Sequence, residues 1–172
     1  MKTYICQICG DAYIGSDKPA DCPFCGAPKN FIKEGQESNP IVAQKFEIGE
    51  ASRKNLMETY NLEVTASAIY TCMAGKGKTY EIQKMFKRLA KIELEHAVIV
   101  TKLLAIPAPE IRAETCSEED TENFQKTTEL ETHAADLYRQ FAREASEQNI
   151  RILFTALAQA EQGHIDLMKN YQ

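Results

Sequence analysis

A Glu-x-x-His pair that occurs twice at a fixed offset constrains this chain more than any other feature. Glu93-Leu94-Glu95-His96 recurs 68 residues later as Glu161-Gln162-Gly163-His164. Each pair lies in a stretch with helical spacing of apolar residues, and residues three apart on a helix point to nearly the same side. Each such helix presents one carboxylate and one imidazole together. With Glu63 and Glu131 supplied singly by two further helices, the pattern is that of a four-helix bundle built around two metal ions.

Shifting the first half of the bundle by 68 places tests for an internal repeat. Without a gap, Glu63 falls on Glu131, Tyr70 on Tyr138, Phe86 on Phe154, Leu89 on Leu157, Glu93 on Glu161 and His96 on His164. Bundle packing alone explains repeated Leu, Ala and Phe; it does not explain Glu and His in register with them. Periodicity predicts helices over about 52–74, 80–105, 117–147 and 149–170, with Ser117-x-x-Asp120 as a capping box opening the third. Gly75-Lys76-Gly77 predicts the first stop. The connections within each pair of helices are short, whereas Ile106 to Cys116 is longer and holds Pro107 and Pro109. Two antiparallel hairpins joined by a crossover make a ferritin-like bundle over residues 51–172.

Four buried carboxylates and two buried imidazoles need compensation, and metal coordination provides it. We read Glu93 and Glu161 as bridging ligands, His96 and His164 as one terminal ligand per metal, and Glu63 and Glu131 as terminal carboxylates. Mixed oxygen and nitrogen donors suit iron, with manganese or a mixed pair as the alternative. Tyr70 and Tyr138 lie about two turns beyond Glu63 and Glu131, on the same faces, and can hydrogen-bond carboxylates there. Glu58, Glu95 and Glu129 are read as lining solvated faces.

The N-terminal 35 residues carry a second metal motif: Cys6-Gln-Ile-Cys9-Gly10, a twelve-residue stretch from Gly10 to Asp21, then Cys22-Pro23-Phe24-Cys25-Gly26. Two thiolates spaced this way chelate one ion, and the following Gly permits the tight turn around it. Two such knuckles facing each other form a tetrahedral four-thiolate site, which holds either structural zinc or a redox iron. Residues 36–50, opening with QESNP, read as a short linker that keeps the module near the bundle without fixing where it docks. Of the remaining cysteines, Cys72 is expected to be buried by packing and Cys116 to be incidentally exposed, both as free thiols.

Composition narrows the function classes. A net charge of −5 argues against a nucleic-acid partner, which calls for a basic face, and no apolar run reaches the roughly 18–20 residues of a membrane span. The N-terminus enters its first Cys pair at once, which predicts no secretion signal and a cytoplasmic location. In that compartment paired cysteines are metal ligands more often than disulfides.

The Cys pattern, with Tyr4, Tyr13 and Ala27-Pro28-Lys29 around it, resembles rubredoxin, in the shortened form found in rubrerythrins. Nearly the whole chain resembles the rubrerythrin family, in the module order of reverse rubrerythrins. The resemblance implies a mainly α fold with a small rubredoxin-like domain ahead of a ferritin-like di-iron bundle. It also implies a non-haem di-iron peroxidase that reduces hydrogen peroxide, and it allows reaction with oxygen. Electrons would come through the rubredoxin-like iron from an external NAD(P)H-dependent reductase or a rubredoxin-type donor, since the sequence has no G-x-G-x-x-G site. A homodimer is implied as well. The sequence departs from the family at one position. An additional Glu on the third helix is replaced by Ala134, so the resemblance does not extend to the metal movement associated with that carboxylate. His133 is the neighbouring candidate, but on a regular helix it points about 200° away from Glu131. Three other functions fit the residues: a ferroxidase or iron-storage protein, an oxygen reductase, and a zinc-ribbon redox sensor.

Overall fold

The computed structural model describes residues 1–171. Strands β1 (Lys2–Cys6), β2 (Ala12–Gly15) and β3 (Ile32–Glu34) form a small antiparallel sheet in the order β2-β1-β3. Four long helices follow: α1 (Glu50–Lys76), α2 (Tyr80–Leu104), α3 (Asp120–Glu144) and α4 (Gln148–Met168). Contacts are dense within the α1–α2 and α3–α4 hairpins and sparse between α1 and α3. The repeat is visible in the boundaries. Helices α1 and α3 end at Lys76 and Glu144, and α2 and α4 begin at Tyr80 and Gln148, each pair at the same 68-residue offset.

Local chemistry sets most of these ends. The Gly77 amide closes α1 on the Met73 carbonyl. The Thr79 hydroxyl caps α2 by accepting from the Ile82 amide. Helix α2 stops where Ala105 turns left-handed (φ 53°, ψ 44°) ahead of Pro107. The third helix begins later than the capping-box reading expects. Ser117 is held outside it, its amide and carbonyl bound to the Asn123 side chain and its hydroxyl to Glu122. The Asp120 carboxylate accepts from the Lys78 amide instead of serving a cap at Ser117.

Two expectations from sequence fail here. Cys72 and Cys116 are not free thiols: they form a disulfide 44 residues apart in sequence. The crossover brings Cys116, at the foot of α3, back to the last turns of α1, a proximity that spacing alone does not reveal. The second concerns the linker, which does dock. Ile41 is buried, its amide donates to the Gln7 carbonyl, and the Asn39 amide donates to the Gln7 side chain. The Asn149 side chain donates to Gln44, tying the same segment to α4.

One apolar core therefore runs from the module into the bundle, taking in Ile8, Ile32, Ile41, Ile99, Tyr138 and Phe154. A second cluster around Tyr70, Phe86, Phe124 and Met168 fills the other end. The repeated aromatic pairs pack alike: Tyr70 and Phe86 have ring centroids 6.1 Å apart, Tyr138 and Phe154 5.9 Å. Among the described residues, no helix is long and apolar enough to cross a membrane.

Candidate metal centres

The helical register brings all six bundle residues together at mid-length. Glu63, Glu93, His96, Glu131, Glu161 and His164 are each no more than 7% exposed. Their donor atoms form two overlapping groups, each within 4.8 Å: Glu63, Glu93, His96 and Glu161, and Glu93, Glu131, Glu161 and His164. Glu93 and Glu161 belong to both. Each divides its oxygens: Glu93 Oε2 lies 3.1 Å from His96 Nδ1 and its Oε1 3.3 Å from His164 Nδ1. Glu161 Oε1 lies 3.2 Å from His96 Nδ1 and its Oε2 2.9 Å from His164 Nδ1. Glu63 and Glu131 each serve one side, 3.3 Å from His96 and His164 respectively.

The two tyrosines act across the repeat. Tyr70, from the first half, donates to Glu131 Oε1 at 2.5 Å, and Tyr138, from the second, donates to Glu63 Oε1. Burial, reinforced by the carboxylates facing them, pushes both phenols well above the ordinary tyrosine range, so each keeps the proton that it donates to its carboxylate.

Electrostatics call for cations here. Burial pushes the carboxyls of Glu63, Glu93 and Glu131 upward, with the Glu161 charge adding to it; Glu131 reaches about 7. Burial also acts to raise Glu161, but the His96 and His164 charges outweigh it and hold that carboxyl low. Burial disfavours both imidazolium ions, yet the carboxylates around them, led by Glu161 and Glu63 for His96 and by Glu131 and Glu93 for His164, raise both histidines well above their usual range. Both oxygens of Glu93, both of Glu161, and His96 Nδ1 are buried without a hydrogen-bond partner. Buried polar atoms are rarely orphaned in native proteins. Five orphaned donor atoms converging on two points fit a pair of metal ions, and their oxygen and nitrogen chemistry fits iron or manganese.

The N-terminal thiols form an equally compact group. Cys6, Cys9, Cys22 and Cys25 are buried with their sulfurs within 4.8 Å of one another. Both knuckles use one turn: the Gly10 amide donates to the Cys6 carbonyl and the Gly26 amide to the Cys22 carbonyl, each at 3.0 Å. The glycines sit at φ 84° and 72°, where a side chain is strained. The Ile8 and Asp11 amides point at the sulfurs of Cys6 and Cys9, 3.4 and 3.5 Å away, and would stabilise thiolate charge. Four convergent sulfurs fit a tetrahedral ion, iron or zinc.

A family model described as Rubrerythrin matches residues 54–171. This chain belongs to the rubrerythrin family. It is also 32% identical over 113 residues to Reverse rubrerythrin-1 of Clostridium acetobutylicum, a match covering 60% of this chain and 62% of that protein. The chain thus spans about three-fifths of that relative's length. Family membership supports a di-iron redox protein of the oxidoreductase type.

In this rubrerythrin-family chain the four-cysteine module sits directly on its own bundle. His96 Nε2 lies 2.8 Å from the Cys25 carbonyl, so the imidazole that faces the carboxylates with one nitrogen touches a cysteine knuckle with the other. Gly26 makes the approach possible: a Cβ there would meet the Ala160 side chain at 3.3 Å. Sequence reasoning missed this contact, because nothing in either motif specifies which face the module covers. It also placed Glu95 on a solvated face. Glu95 is half-buried at the module boundary, beside Lys102, whose Nζ donates to the Cys9 carbonyl at 3.0 Å. Glu58 and Glu129 are exposed as expected, and so is His133, which faces away from the centre on a regular helix. Ala134 instead lines a cavity of about 350 Å³ between α1 and α3 that reaches Glu63, Glu93 and Glu131.

Proposed function

We propose that this chain is a non-haem di-iron peroxidase that reduces hydrogen peroxide to water, H2O2 + 2 H+ + 2 e− → 2 H2O. Electrons would come through the four-thiolate iron from an external NAD(P)H-dependent reductase or a rubredoxin-type donor. Glu63, Glu93, His96 and Glu161 would hold one bundle metal, Glu93, Glu131, Glu161 and His164 the other, and Cys6, Cys9, Cys22 and Cys25 the third. When bound as iron, the bundle pair supplies the two electrons that peroxide consumes, and the thiolate-bound iron carries single electrons.

The chain's own residues prepare the reaction. The cavity between α1 and α3 admits a small molecule to the carboxylates, and Leu62, Ala66, Leu130 and Ala134 line it with apolar surface that limits bulk water. Tyr70 and Tyr138 keep their protons at the phenol oxygen and fix the outer carboxylates by crossed hydrogen bonds. His96 is oriented from both sides, by carboxylates at Nδ1 and by the Cys25 carbonyl at Nε2. That second contact carries the proposal. A storage protein or a zinc-bearing sensor has no use for a one-electron site hydrogen-bonded to a bundle ligand, whereas a peroxidase that must be re-reduced does. The proposed assembly is a homodimer, as the resemblance implies.

The test is stopped-flow spectroscopy on anaerobically reduced, iron-loaded protein mixed with substoichiometric peroxide or with oxygen. Rapid oxidation of both the bundle and the four-thiolate centre by peroxide, much faster than by oxygen, is the expected result. Oxidation of the bundle alone, with the four-thiolate centre unchanged, would overturn the relay and favour a ferroxidase. Faster reaction with oxygen would favour an oxygen reductase.

A further inference from the structure

Where the Cys9 knuckle meets the C-terminal part of α2, one ammonium faces two carboxylates. Lys102 Nζ lies 3.0 Å from the Cys9 carbonyl, 3.3 Å from Glu95 Oε1 and 4.0 Å from Asp11 Oδ2. The two acids crowd the metal knuckle: Cys9 Sγ and a carboxylate oxygen from each of Asp11 and Glu95 lie within 4.8 Å of one another. The last turn of α2 adds the negative end of a helix dipole. Lys102 is the cation set among these negative groups, and it is 37% exposed, so it is not fixed there by core packing.

Four thiolates around ferric iron carry one net negative charge, and around ferrous iron two. Reduction of the four-thiolate centre thus adds negative charge where Asp11, Glu95 and the α2 terminus already place it. A cation beside Cys9 favours the reduced form, and at a partly desolvated interface its charge is only partly screened by solvent. We propose that Lys102 is a positioning residue for electron delivery, one that fastens the Cys9 knuckle to α2 and raises the reduction potential of the iron held there. This rests on the relay reading above. Without the lysine, the electron on that iron would sit at a lower potential and the incoming electron would be harder to accept from a donor.

The experiment is an anaerobic redox titration of the full-length, iron-loaded chain, followed by the visible thiolate-to-iron absorption. Lys102→Met should lower the midpoint by about 59 mV, equivalent to a tenfold change in the oxidised-to-reduced ratio of a one-electron couple. Lys102→Arg should restore most of it. Asp11→Asn, which removes a negative charge and leaves the ammonium, should move the midpoint the other way. A Lys102→Met midpoint equal to that of the parent overturns the proposal. So does a shift of the same sign in Lys102→Met and Asp11→Asn, since both would then act by loosening the module. A chain that takes only zinc at its four thiolates lacks the absorption altogether, which overturns the relay itself before any titration is run.

Discussion

The two halves of the bundle are near copies inside and differ outside. Glu63 and His96 are matched by Glu131 and His164, the tyrosines by each other, and the phenylalanines packed on them likewise. Their second histidine nitrogens face different surroundings. His96 is fully buried, with Nε2 on the Cys25 carbonyl. His164 is 7% exposed and borders a crevice lined by Pro23, Gly26, Arg88 and Gln159. A single module laid across a duplicated bundle sets a backbone carbonyl on one histidine and leaves the other beside a crevice between module and bundle. Duplication therefore set the ligands, and docking of the module made the two halves inequivalent.

The largest expected effect removes what the halves share. Glu161→Ala takes away a carboxylate that faces both histidines, so both bundle metals should be lost while the thiolate-bound metal stays. Glu131→Ala, on one side only, should cost one. Metal analysis per chain and the visible thiolate-to-iron absorption check this. Equal loss in the two variants would mean that Glu161 does not bridge.

Next in size is the link between the hairpins. Because α1 and α3 touch sparsely, the Cys72–Cys116 disulfide is a main tie between the first hairpin and the crossover. Closing a 44-residue loop constrains the unfolded chain by about 4 kcal/mol in the loop-entropy treatment. Cys72→Ser, or reduction of the parent, should lower stability by up to that amount, read from chemical denaturation. An unchanged midpoint on reduction would show that the two cysteines are not paired.

The crossed tyrosines test how symmetric the inner halves are. Tyr70→Phe unpins Glu131 and Tyr138→Phe unpins Glu63. Hydrogen bonds to charged groups contribute about 1.5–3 kcal/mol, and the two losses should agree within error. A marked inequality would show that the module's influence reaches the carboxylates as well as His96. Gly26→Ala acts on the docking contact and on the turn of the second knuckle. It strains a left-handed position by about 1–2 kcal/mol and sets a methyl against Ala160. Electron transfer from the four-thiolate centre to the bundle should slow while bundle metal content holds.

How legible this was in the sequence follows the same division. The convergence of the six Glu and His side chains and the order of the helices were legible because one 68-residue offset aligned Glu and His with the apolar stripe. Relations between distant surfaces were not. The disulfide joins residues of different elements across a proline-bearing crossover, and each cysteine taken alone looked ordinary. The docking contact uses a backbone carbonyl, which no sequence pattern marks, and Glu95 looked solvated because only the arriving module buries it. Whether His133 replaces the missing carboxylate was open from sequence; on the regular α3 it is exposed.

The smallest expected effect comes from a position where the halves diverged in chemistry. Thr79 and Glu147 are repeat equivalents that precede α2 and α4. Thr79 caps its own helix, whereas Glu147 reaches across to α1, accepting from the Gly49 amide and, at 2.6 Å, from the Ser52 hydroxyl. The Ser52 bond, followed by that from Gly49, outweighs slight burial and holds its carboxyl at about 2, below the ordinary 4.5. A depressed carboxyl stabilises the fold when ionised, so its contribution is complete above about pH 4.5 and is lost as pH falls through about 2. Glu147→Gln should therefore be less stable than the parent by a small, constant margin near neutrality, because the group is largely solvated and screened. The margin should close on acidification across that window. Denaturation of both proteins at a series of pH values measures it, and a gap that widens toward acid would contradict the assignment of Glu147 as the anionic acceptor at the start of α1.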